Sequence, residues 1–229
     1  MKFLTISDTH NTHHHFPKEW LIPADAIIHA GDFTNFGTKG ECQDFLNWFS
    51  GLSQYKYKIF IAGNHDMFFD SNWKAYTERG KERWKNVIFG STSEINDIIP
   101  PNLIYLNNSG VTIDNINIWG SPETTWYHDW GFNREVGKDM QEVCDLIPTN
   151  TDLLITHGPP SNILDKMVSG VNIGSVELSH TLQRVKPKVH IFGHIHEAYG
   201  HLHMNDTDHY NASSYYDWQF KQPFLIELL

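Results

Sequence analysis

The chain has 229 residues and is 40% hydrophobic, which gives it enough apolar material for one domain with a core of ordinary size. It carries 27 acidic against 17 basic residues, and the formal net charge of -10 disfavours a protein that binds a long stretch of nucleic-acid backbone. Its two cysteines, Cys42 and Cys144, are too few for a disulfide framework or a thiolate metal site.

Nothing in the sequence suggests a secreted or membrane protein. Only a few apolar residues precede Ser7 and Asp8, and no apolar stretch approaches the roughly 18 residues of a membrane span. We therefore expect a cytoplasmic protein without a membrane partner, organised as a single domain over residues 1–229. The oligomeric state stays open, a homodimer included.

The first two predicted strands each end in side chains that can bind metal. Residues 2–7 form a short β-prone run that stops at Asp8 and His10, and residues 24–30 form a second run that stops just before Asp32. A carboxylate and an imidazole at the end of a strand can turn towards one ion. Asp32 is the residue expected to bridge two ions, because its two oxygens can be shared between cations.

Other histidines near these strands are expected to have structural roles. His29 lies within the second apolar run, so we expect it in or near the core. The run His13–His15 could scavenge metal, but three adjacent histidines cannot all face one ion. A solvated loop is therefore the prediction for this run.

A helix and a third strand follow. The apolar residues of 39–52 have helical spacing, and the run 58–62 then predicts a strand that completes a β-α-β unit with parallel strands. This strand ends at Asn64, His65 and Asp66. Asn64 offers a neutral oxygen ligand, His65 titrates near neutral pH, and Asp66 can orient the His65 ring. The alternative for these residues is a polar turn.

The middle of the chain predicts a second helix and a second sheet. Residues 71–84, with Trp73, Tyr76 and Trp84, have a helical pattern. Between residues 87 and 119, short apolar runs alternate with turn signals, which indicates hairpins and no helix. These runs are 86–90, 103–106, 111–113 and 116–119.

An aromatic stretch follows at residues 120–134. Trp126 could stack on a base or sugar there, and Arg134 could contact a phosphate, so the stretch is a candidate substrate wall. The alternative is a packed loop whose aromatic residues form a small core of their own.

The last third of the chain adds two more strand ends with histidines. Helices are predicted at 134–146, with Val136 on the apolar side, and at 175–185. The strand 152–156 ends at His157, and the strand beginning at Val189 runs into His194 and His196. Residues at i and i+2 of an extended chain point to the same side about 6.5 Å apart, which suits one histidine on each of two ions. A final strand is predicted at 223–228.

Taken in order, these strand ends resemble a known superfamily. The blocks Asp-x-His, Gly-Asp, Gly-Asn-His-Asp, Thr-His-Gly and Gly-His-x-His, spread over residues 8–196, resemble the calcineurin-like metallophosphoesterases. The motifs at 120–122 and 211–213 are similar to those of its metallophosphoesterase-domain-containing, class III phosphodiesterase-like subgroup. The resemblance implies an α/β fold, a four-layer α/β/β/α sandwich of two mixed sheets flanked by helices.

The resemblance also implies a role for each residue. It assigns one metal to Asp8, His10, Asp32 and His196, and a second metal to Asp32, Asn64, His157 and His194. It makes His65 the proton donor or phosphate-oxygen stabiliser, with Asp66 as its partner. Oxygen and imidazole ligands without thiolate fit Mn, Fe, Zn or Ni.

The function expected from this resemblance is a dinuclear metal-dependent phosphodiesterase. Its substrate would be a small phosphoester such as a cyclic nucleotide, attacked by a hydroxide that bridges the metals. Two alternatives remain open: a phosphomonoesterase, including a protein phosphatase, and a non-catalytic interaction scaffold.

Overall fold

The computed structural model describes residues 1–73, 77–85 and 90–228. The strands are β1 (Lys2–Ile6), β2 (Ala26–Ala30), β3 (Tyr57–Ile61), β4 (Ile104–Tyr105), β5 (Ser109–Ile113), β6 (Ile116–Ser121), β7 (Thr124–Thr125), β8 (Asn133–Arg134), β9 (Leu153–Thr156), β10 (Val189–Phe192), β11 (Gly200–Met204), β12 (Thr207–Asn211), β13 (Tyr215–Tyr216), β14 (Gln219–Phe220) and β15 (Phe224–Glu227). The α-helices are α1 (Lys39–Ser50), α2 (Glu78–Trp84), α3 (Thr92–Ile98), α4 (Lys138–Asp145) and α5 (Val176–Val185). Short 3-10 helices lie at His13–His15, Lys18–Trp20, Met67–Phe69 and His196–Ala198.

Two large mixed sheets organise the chain. The first has the order β15-β1-β2-β3-β4 and is parallel except for the antiparallel edge strand β15. The second has the order β11-β12-β10-β9-β6-β5, in which the four inner strands are parallel and both edge strands antiparallel. Parallel strands need long crossovers, and α1 supplies one between β2 and β3, as predicted.

Three apolar clusters fill the spaces between the layers of the fold. The cluster between the sheets contains Phe3 and Ile28 of the first sheet and Ile155 of the second. Another cluster joins α1 to the outer face of the first sheet, and a third joins α4 and α5 to the outer face of the second. Successive side chains of a strand point to opposite faces, so each sheet contributes to two clusters. The predicted four-layer α/β/β/α sandwich of two mixed sheets is confirmed.

Two helices, α3 and α4, differ from the predictions. Helix α4 begins at Lys138 rather than at residue 134, because Gly137 has a φ of 97° and Arg134 pairs in β8. Val136 is 70% exposed and lies outside the helix. The prediction of no helix between residues 87 and 119 is wrong, because α3 lies within that range. A capping box between Ser91 and Glu94 begins it, and its one buried residue gives too weak an apolar pattern to detect.

Two predicted elements fall partly on residues that are not described. Of the predicted helix 71–84, only Glu78–Trp84 (α2) is helical; residues 71–73 and 77 are not in a helix, and residues 74–76, including Tyr76, lie outside the described residues. The predicted strand at 86–90 also lies outside them, except for its last residue.

The structural histidines follow the predictions in part. His29 is fully buried, with its Nε2 3.0 Å from the Thr9 hydroxyl, and burial lowers its pKa to about 3. The prediction of a solvated loop at residues 13–15 is wrong for His13, which is 1% exposed and packs on Trp48. His14 is exposed as predicted.

The cysteines and the helices bear on the predicted class of protein. Cys42 and Cys144 are both buried and unpaired. Among the described residues, none of the helices combines the length and the apolar character needed to cross a membrane. The extent of the domain is not tested, so the single domain over residues 1–229 stays a prediction.

Candidate metal centre

The predicted site residues lie where the carboxyl ends of both sheets meet. Strand β1 leads to Asp8, β2 to Asp32 and β3 to Asn64, while β9 and β10 of the second sheet lead to His157 and His194. A parallel bridge between residues 7 and 213 joins the two sheets beside these strand ends. Open α/β sheets bind ligands at this edge, and the sequence predicted the same place.

A first group of potential ligand atoms comes from Asp8, His10 and His196, with one atom from each lying within 4.8 Å of the others. The Nε2 of His10 is 3.1 Å from the Nε2 of His196, which is in turn 3.2 Å from Oδ1 of Asp8. Lone-pair atoms of this kind repel one another unless a proton or a cation lies between them. The arrangement therefore suits a cation.

A second group comes from Asp32, His157 and His194, again within 4.8 Å of one another. The Nε2 of His157 lies 3.2 Å from Oδ2 of Asp32 and 3.0 Å from Oδ1 of Asn64. The same Asp32 oxygen is 4.0 Å from Nε2 of His10, which belongs to the first group. Asp32 thus lies between the groups, and the structure brings together all seven residues predicted as ligands.

Backbone carbonyls hold two of the imidazoles in the tautomer that a metal needs. The Nδ1 of His10 is 3.1 Å from the carbonyl oxygen of Thr34, and the Nδ1 of His157 is 2.9 Å from that of Ala30. A carbonyl oxygen only accepts, so each Nδ1 carries a proton and Nε2 is the ring nitrogen left to bind a metal. Metal-binding histidines are commonly held in this way, and the residues present fit a bound metal.

Burial and neighbouring charge set the protonation of these groups. Burial lowers the pKa of His10 to about 4 and that of His194 to about 3, so both rings are neutral at pH 7. Burial also disfavours the charged form of His157, but the adjacent Asp32 carboxylate outweighs it and raises the pKa to about 9. His157 would have to lose its Nε2 proton before that nitrogen could hold a cation.

Asp8 is held as a buried carboxylate. Burial alone would raise its pKa, but the hydrogen bond and charge of His196 outweigh burial and lower the pKa. Its oxygens accept hydrogen bonds from the His194 backbone N–H at 3.1 Å and the Ser213 hydroxyl at 3.0 Å. Asn211 accepts from the same hydroxyl and donates to the carbonyl of Ile195. Asn211 and Ser213, which the sequence marked only as a family motif, thus fix Asp8 and the loop carrying His196.

Several of the predicted ligands have a strained backbone. The left-handed region, which costs a non-glycine residue about 1–3 kcal/mol, is occupied by four of them. These are Asp8 (φ 53°), His10 (φ 40°), Asp32 (φ 56°) and His194 (φ 69°). Two glycines allow the loops to approach: a Cβ on Gly63 would lie 2.3 Å from Oδ1 of Asp32, and one on Gly193 would lie 2.1 Å from Oδ2 of Asp8. The glycines thus let the loops that carry Asp8 and Asp32 pack closely against the neighbouring strand ends.

A family model for calcineurin-like phosphoesterases matches residues 1–198 of this chain. The chain belongs to that family. Its members use divalent metal ions, and the two groups around Asp32 are the candidate sites for them in this chain.

Curated relatives agree with this family. Metallophosphoesterase domain-containing protein 1 of Homo sapiens and that of Mus musculus are each 38% identical over 226 residues, which is 93% of this chain and 65% of theirs. A UPF0046 protein of Caenorhabditis elegans is 34% identical over 211 residues, covering 87% of this chain and 52% of its own. The chain therefore spans about two thirds or less of the length of these relatives. One solved structure shares the fold, with a TM-score of 0.62 at 16% identity, over 93% of this chain and 90% of that one.

In this family member, His65 lies next to the predicted metal ligands, and its ring is contacted from two sides. Its Nδ1 lies 2.7 Å from the carbonyl oxygen of Asn35, and its ring centroid lies 3.8 Å from that of Trp130. Its Nε2 is therefore the ring nitrogen available to a substrate. Sequence reasoning missed both contacts; the only signal was the position of Trp130 in the aromatic stretch.

Asp66 does not orient the His65 ring, which corrects the predicted pairing. Its buried carboxylate accepts from the backbone N–H groups of Gly63, Asp32 and Thr34 at 2.8–2.9 Å, and from the Thr34 hydroxyl at 2.8 Å. Within the described residues, no hydrogen bond joins it to the ring of His65. Through these hydrogen bonds, Asp66 instead links the loop after β2 to the loop after β3.

We expect Asp66→Asn to lower the free energy of unfolding by about 1–3 kcal/mol, because the new amide N–H₂ faces buried donors and leaves some unpaired. Urea unfolding of the chelator-treated protein measures this change. Asp97→Asn, at an exposed position of α3, is the control and should change it by less than about 0.5 kcal/mol. Equal unfolding midpoints for Asp66→Asn and the control would contradict the role assigned to Asp66.

The aromatic stretch divides into a packed part and an exposed part. Trp130 and Phe132 are 6% and 5% exposed and belong to buried clusters, whereas Trp126 is 40% exposed. Both alternatives weighed for this stretch thus apply to different residues of it. The role of Trp126 as a substrate contact stays a prediction.

Arg134 is not free to contact a phosphate, contrary to prediction. Its Nε and Nη2 donate to the two carboxylate oxygens of Glu123 at 2.9 and 3.0 Å, and its Nη1 donates to Asp139 at 3.4 Å. The hydrogen bond and charge of Glu123 raise the pKa of Arg134. Its charge therefore compensates the buried Glu123 carboxylate.

Proposed function

We propose that this chain is a dinuclear metal-dependent phosphodiesterase that acts on small phosphoesters such as cyclic nucleotides. The observation that supports this function is the position of Asp32. One of its oxygens lies 3.2 Å from Nε2 of His157 and 4.0 Å from Nε2 of His10, which belong to different ligand groups. A carboxylate shared between two imidazole groups suits two cations about 3.5–4 Å apart, the separation of two-metal phosphoesterase sites.

The ligand sets follow from the two groups. Asp8, His10, Asp32 and His196 would hold one ion, and Asp32, Asn64, His157 and His194 the other. Oxygen and imidazole donors of this kind suit Mn, Fe, Zn or Ni. When bound, such a pair of ions supplies Lewis-acid polarisation of the phosphoryl oxygens and a water of lowered pKa.

The charge of the site explains how an acidic protein can attract a phosphate. The ligand atoms include two carboxylates, Asp8 and Asp32, so two divalent cations would leave a local positive surplus. The chain as a whole has a formal net charge of -10, which otherwise repels phosphoesters. The local field at the site would therefore determine where a phosphate binds.

His65 is the residue proposed to move the proton. A carbonyl acceptor on Nδ1 and the Trp130 ring hold the imidazole so that Nε2 faces the site. A protonated Nε2 in that position can deliver its proton to the oxygen of the leaving group. Since Asn35 contributes a backbone carbonyl, substitution of its side chain leaves this contact in place.

The function is tested by metal analysis together with a turnover panel on one Mn-loaded sample. The panel contains cyclic nucleotides, linear diesters and monoesters, and chelator-treated protein is the blank. We expect about two metal equivalents per chain and faster turnover of diesters than of monoesters. Turnover of monoesters alone would establish the phosphomonoesterase alternative. Protein purified without chelator that contains no transition metal would support the scaffold alternative.

A further inference from the structure

A cleft of about 350 Å³ lies beside the candidate metal centre, between α2 and the loop that follows β7. Arg79 and Arg83 line it from the helix, and Trp126 and His128 line it from the loop. All four side chains are exposed. We call this the basic cleft.

The two arginines are placed to bind an anion. They lie one helical turn apart on α2, and within the described residues neither forms an ion pair, whereas Lys81 of the same helix pairs with Glu78. The guanidinium of Arg83 lies 4.9 Å from the ring of Trp130 and 5.0 Å from that of Trp84. Stacking on a ring restrains the plane of the guanidinium and leaves its in-plane N–H donors free for a phosphate.

The cleft is held in shape by buried contacts of Asp129, which is 3% exposed. Its carboxylate accepts from the backbone N–H and the hydroxyl of Thr77, and its carbonyl accepts from Nε1 of Trp73 at 3.1 Å. A Cβ on Gly80 would lie 2.3 Å from its Oδ2, so only glycine permits this approach of helix to loop. With one carboxylate against two guanidinium groups, the cleft keeps a net positive charge.

The loop of the basic cleft continues directly into the candidate metal centre. Trp130 packs against His65 with the ring centroids 3.8 Å apart and the ring planes tilted by 31°, and the ring centroid of Tyr127 lies 6.3 Å from that of His194. The N–H of Gly131 donates to the carbonyl of Asn64 at 2.9 Å. A substrate held by its phosphate at the metal centre therefore has the basic cleft next to it.

We propose that the basic cleft binds a second anionic group of the substrate. The preferred substrates are linear phosphodiesters that carry a further phosphate, with Trp126 available to stack on a base or other flat ring. A cyclic nucleotide, which has a single phosphate, leaves the cleft unused. This inference rests on the proposed phosphodiesterase function and narrows its substrate class.

The test compares two substrates that differ only in the second anion. They are the p-nitrophenyl ester of thymidine 5′-phosphate with and without a 3′-phosphate. We expect the Mn-loaded protein to show a kcat/KM about tenfold higher or more for the 3′-phosphorylated ester, as for a charge-assisted hydrogen bond. The ratio of the two kcat/KM values should fall towards one in Arg79→Gln and in Arg83→Gln.

Lys81→Gln is the matched control, because it removes the same charge from the same helix at a side chain paired with Glu78. It should keep the substrate ratio of the unmodified protein. Inhibition provides a second readout: thymidine 3′,5′-bisphosphate should inhibit about tenfold more strongly than thymidine 5′-phosphate, and Arg79→Gln should abolish this difference.

The possible outcomes distinguish failure of the proposed subsite from failure of the proposed phosphodiesterase function. Equal kcat/KM values for both esters would overturn the subsite, and so would a preference for the 3′-phosphorylated ester that persists in both arginine variants. Neither result would contradict the phosphodiesterase function. Turnover of neither ester overturns the proposed function and the subsite with it. If inorganic phosphate raises turnover of the ester without a 3′-phosphate, and the arginine variants abolish this activation, the cleft binds a free anion and the substrate subsite is overturned.

Discussion

His65→Ala should retain its metal and lose turnover of diesters with poor leaving groups by about 100-fold or more, the usual contribution of a general acid. The Nδ1–H of His65 donates a hydrogen bond to the Asn35 carbonyl oxygen at 2.7 Å, so Nε2 is the nitrogen that can donate to a substrate. Alanine removes that donor and leaves the seven predicted ligands in place. The leaving oxygen must then depart as an unprotonated alkoxide.

A series of diesters with leaving groups of increasing pKa measures this effect. The loss should be small for p-nitrophenolate, which leaves without a proton, and largest for simple alcohols. His180→Ala, at an exposed position of α5, is the matched control and should behave as the unmodified protein. Equal loss across the series would contradict the proton-donor role, and loss of metal would make His65 a ligand beside His10 and Asp32.

Asp32→Asn should lower the metal content from about two equivalents to one or fewer and reduce turnover by about 1,000-fold or more. We expect a loss of turnover of this size because a bound metal pair contributes several kcal/mol of transition-state stabilisation. The substitution is nearly isosteric, and the amide oxygen can still accept the His65 backbone N–H that Oδ1 accepts at 2.8 Å. What it removes is the negative charge between the two ligand groups.

Metal analysis of protein purified without chelator, followed by turnover after Mn loading, measures both effects. Asp97→Asn changes the same functional group on the surface and should keep two metals and full turnover. If Asp32→Asn also keeps two metals and normal turnover, Asp32 does not bridge the ions. Thermal melting of the loaded and chelated forms adds a separate readout, because a bound metal stabilises the folded protein.

The predicted ligands could be located from sequence because each follows a strand whose apolar pattern is plain. Parallel strands bring their carboxyl ends to one edge, so Asp8, Asp32 and Asn64 had to be neighbours once β1, β2 and β3 were recognised. The histidines after β9 and β10 follow the same rule in the second sheet. The meeting of the two edges was implied by family resemblance and was not evident in any single strand.

Partners that lie far apart in sequence could not be predicted in the same way. Adjacency in the chain predicts that Asp66 orients His65, but the Asp66 carboxylate binds the backbone of the loop after β2. The position of Arg134 among aromatic residues predicts a phosphate contact, but in the fold its guanidinium binds Glu123. No local pattern marks such contacts, since they depend on how loops from different elements pack.

The sequence by itself determined the first β-α-β unit, the order of the strand ends and the residue types that follow them. The strands and the helix follow from their apolar period, which is local, whereas the four-layer arrangement of the sheets was implied by the family resemblance. Only the tertiary structure decided which atom each polar side chain meets: Asn35 rather than Asp66 for His65, and Glu123 rather than a phosphate for Arg134. It also created the basic cleft, because Arg79 and Trp126 come from elements that meet only in the folded protein. Hydrogen bonds and ion pairs act over a few ångströms in space, and separation along the chain does not predict that distance.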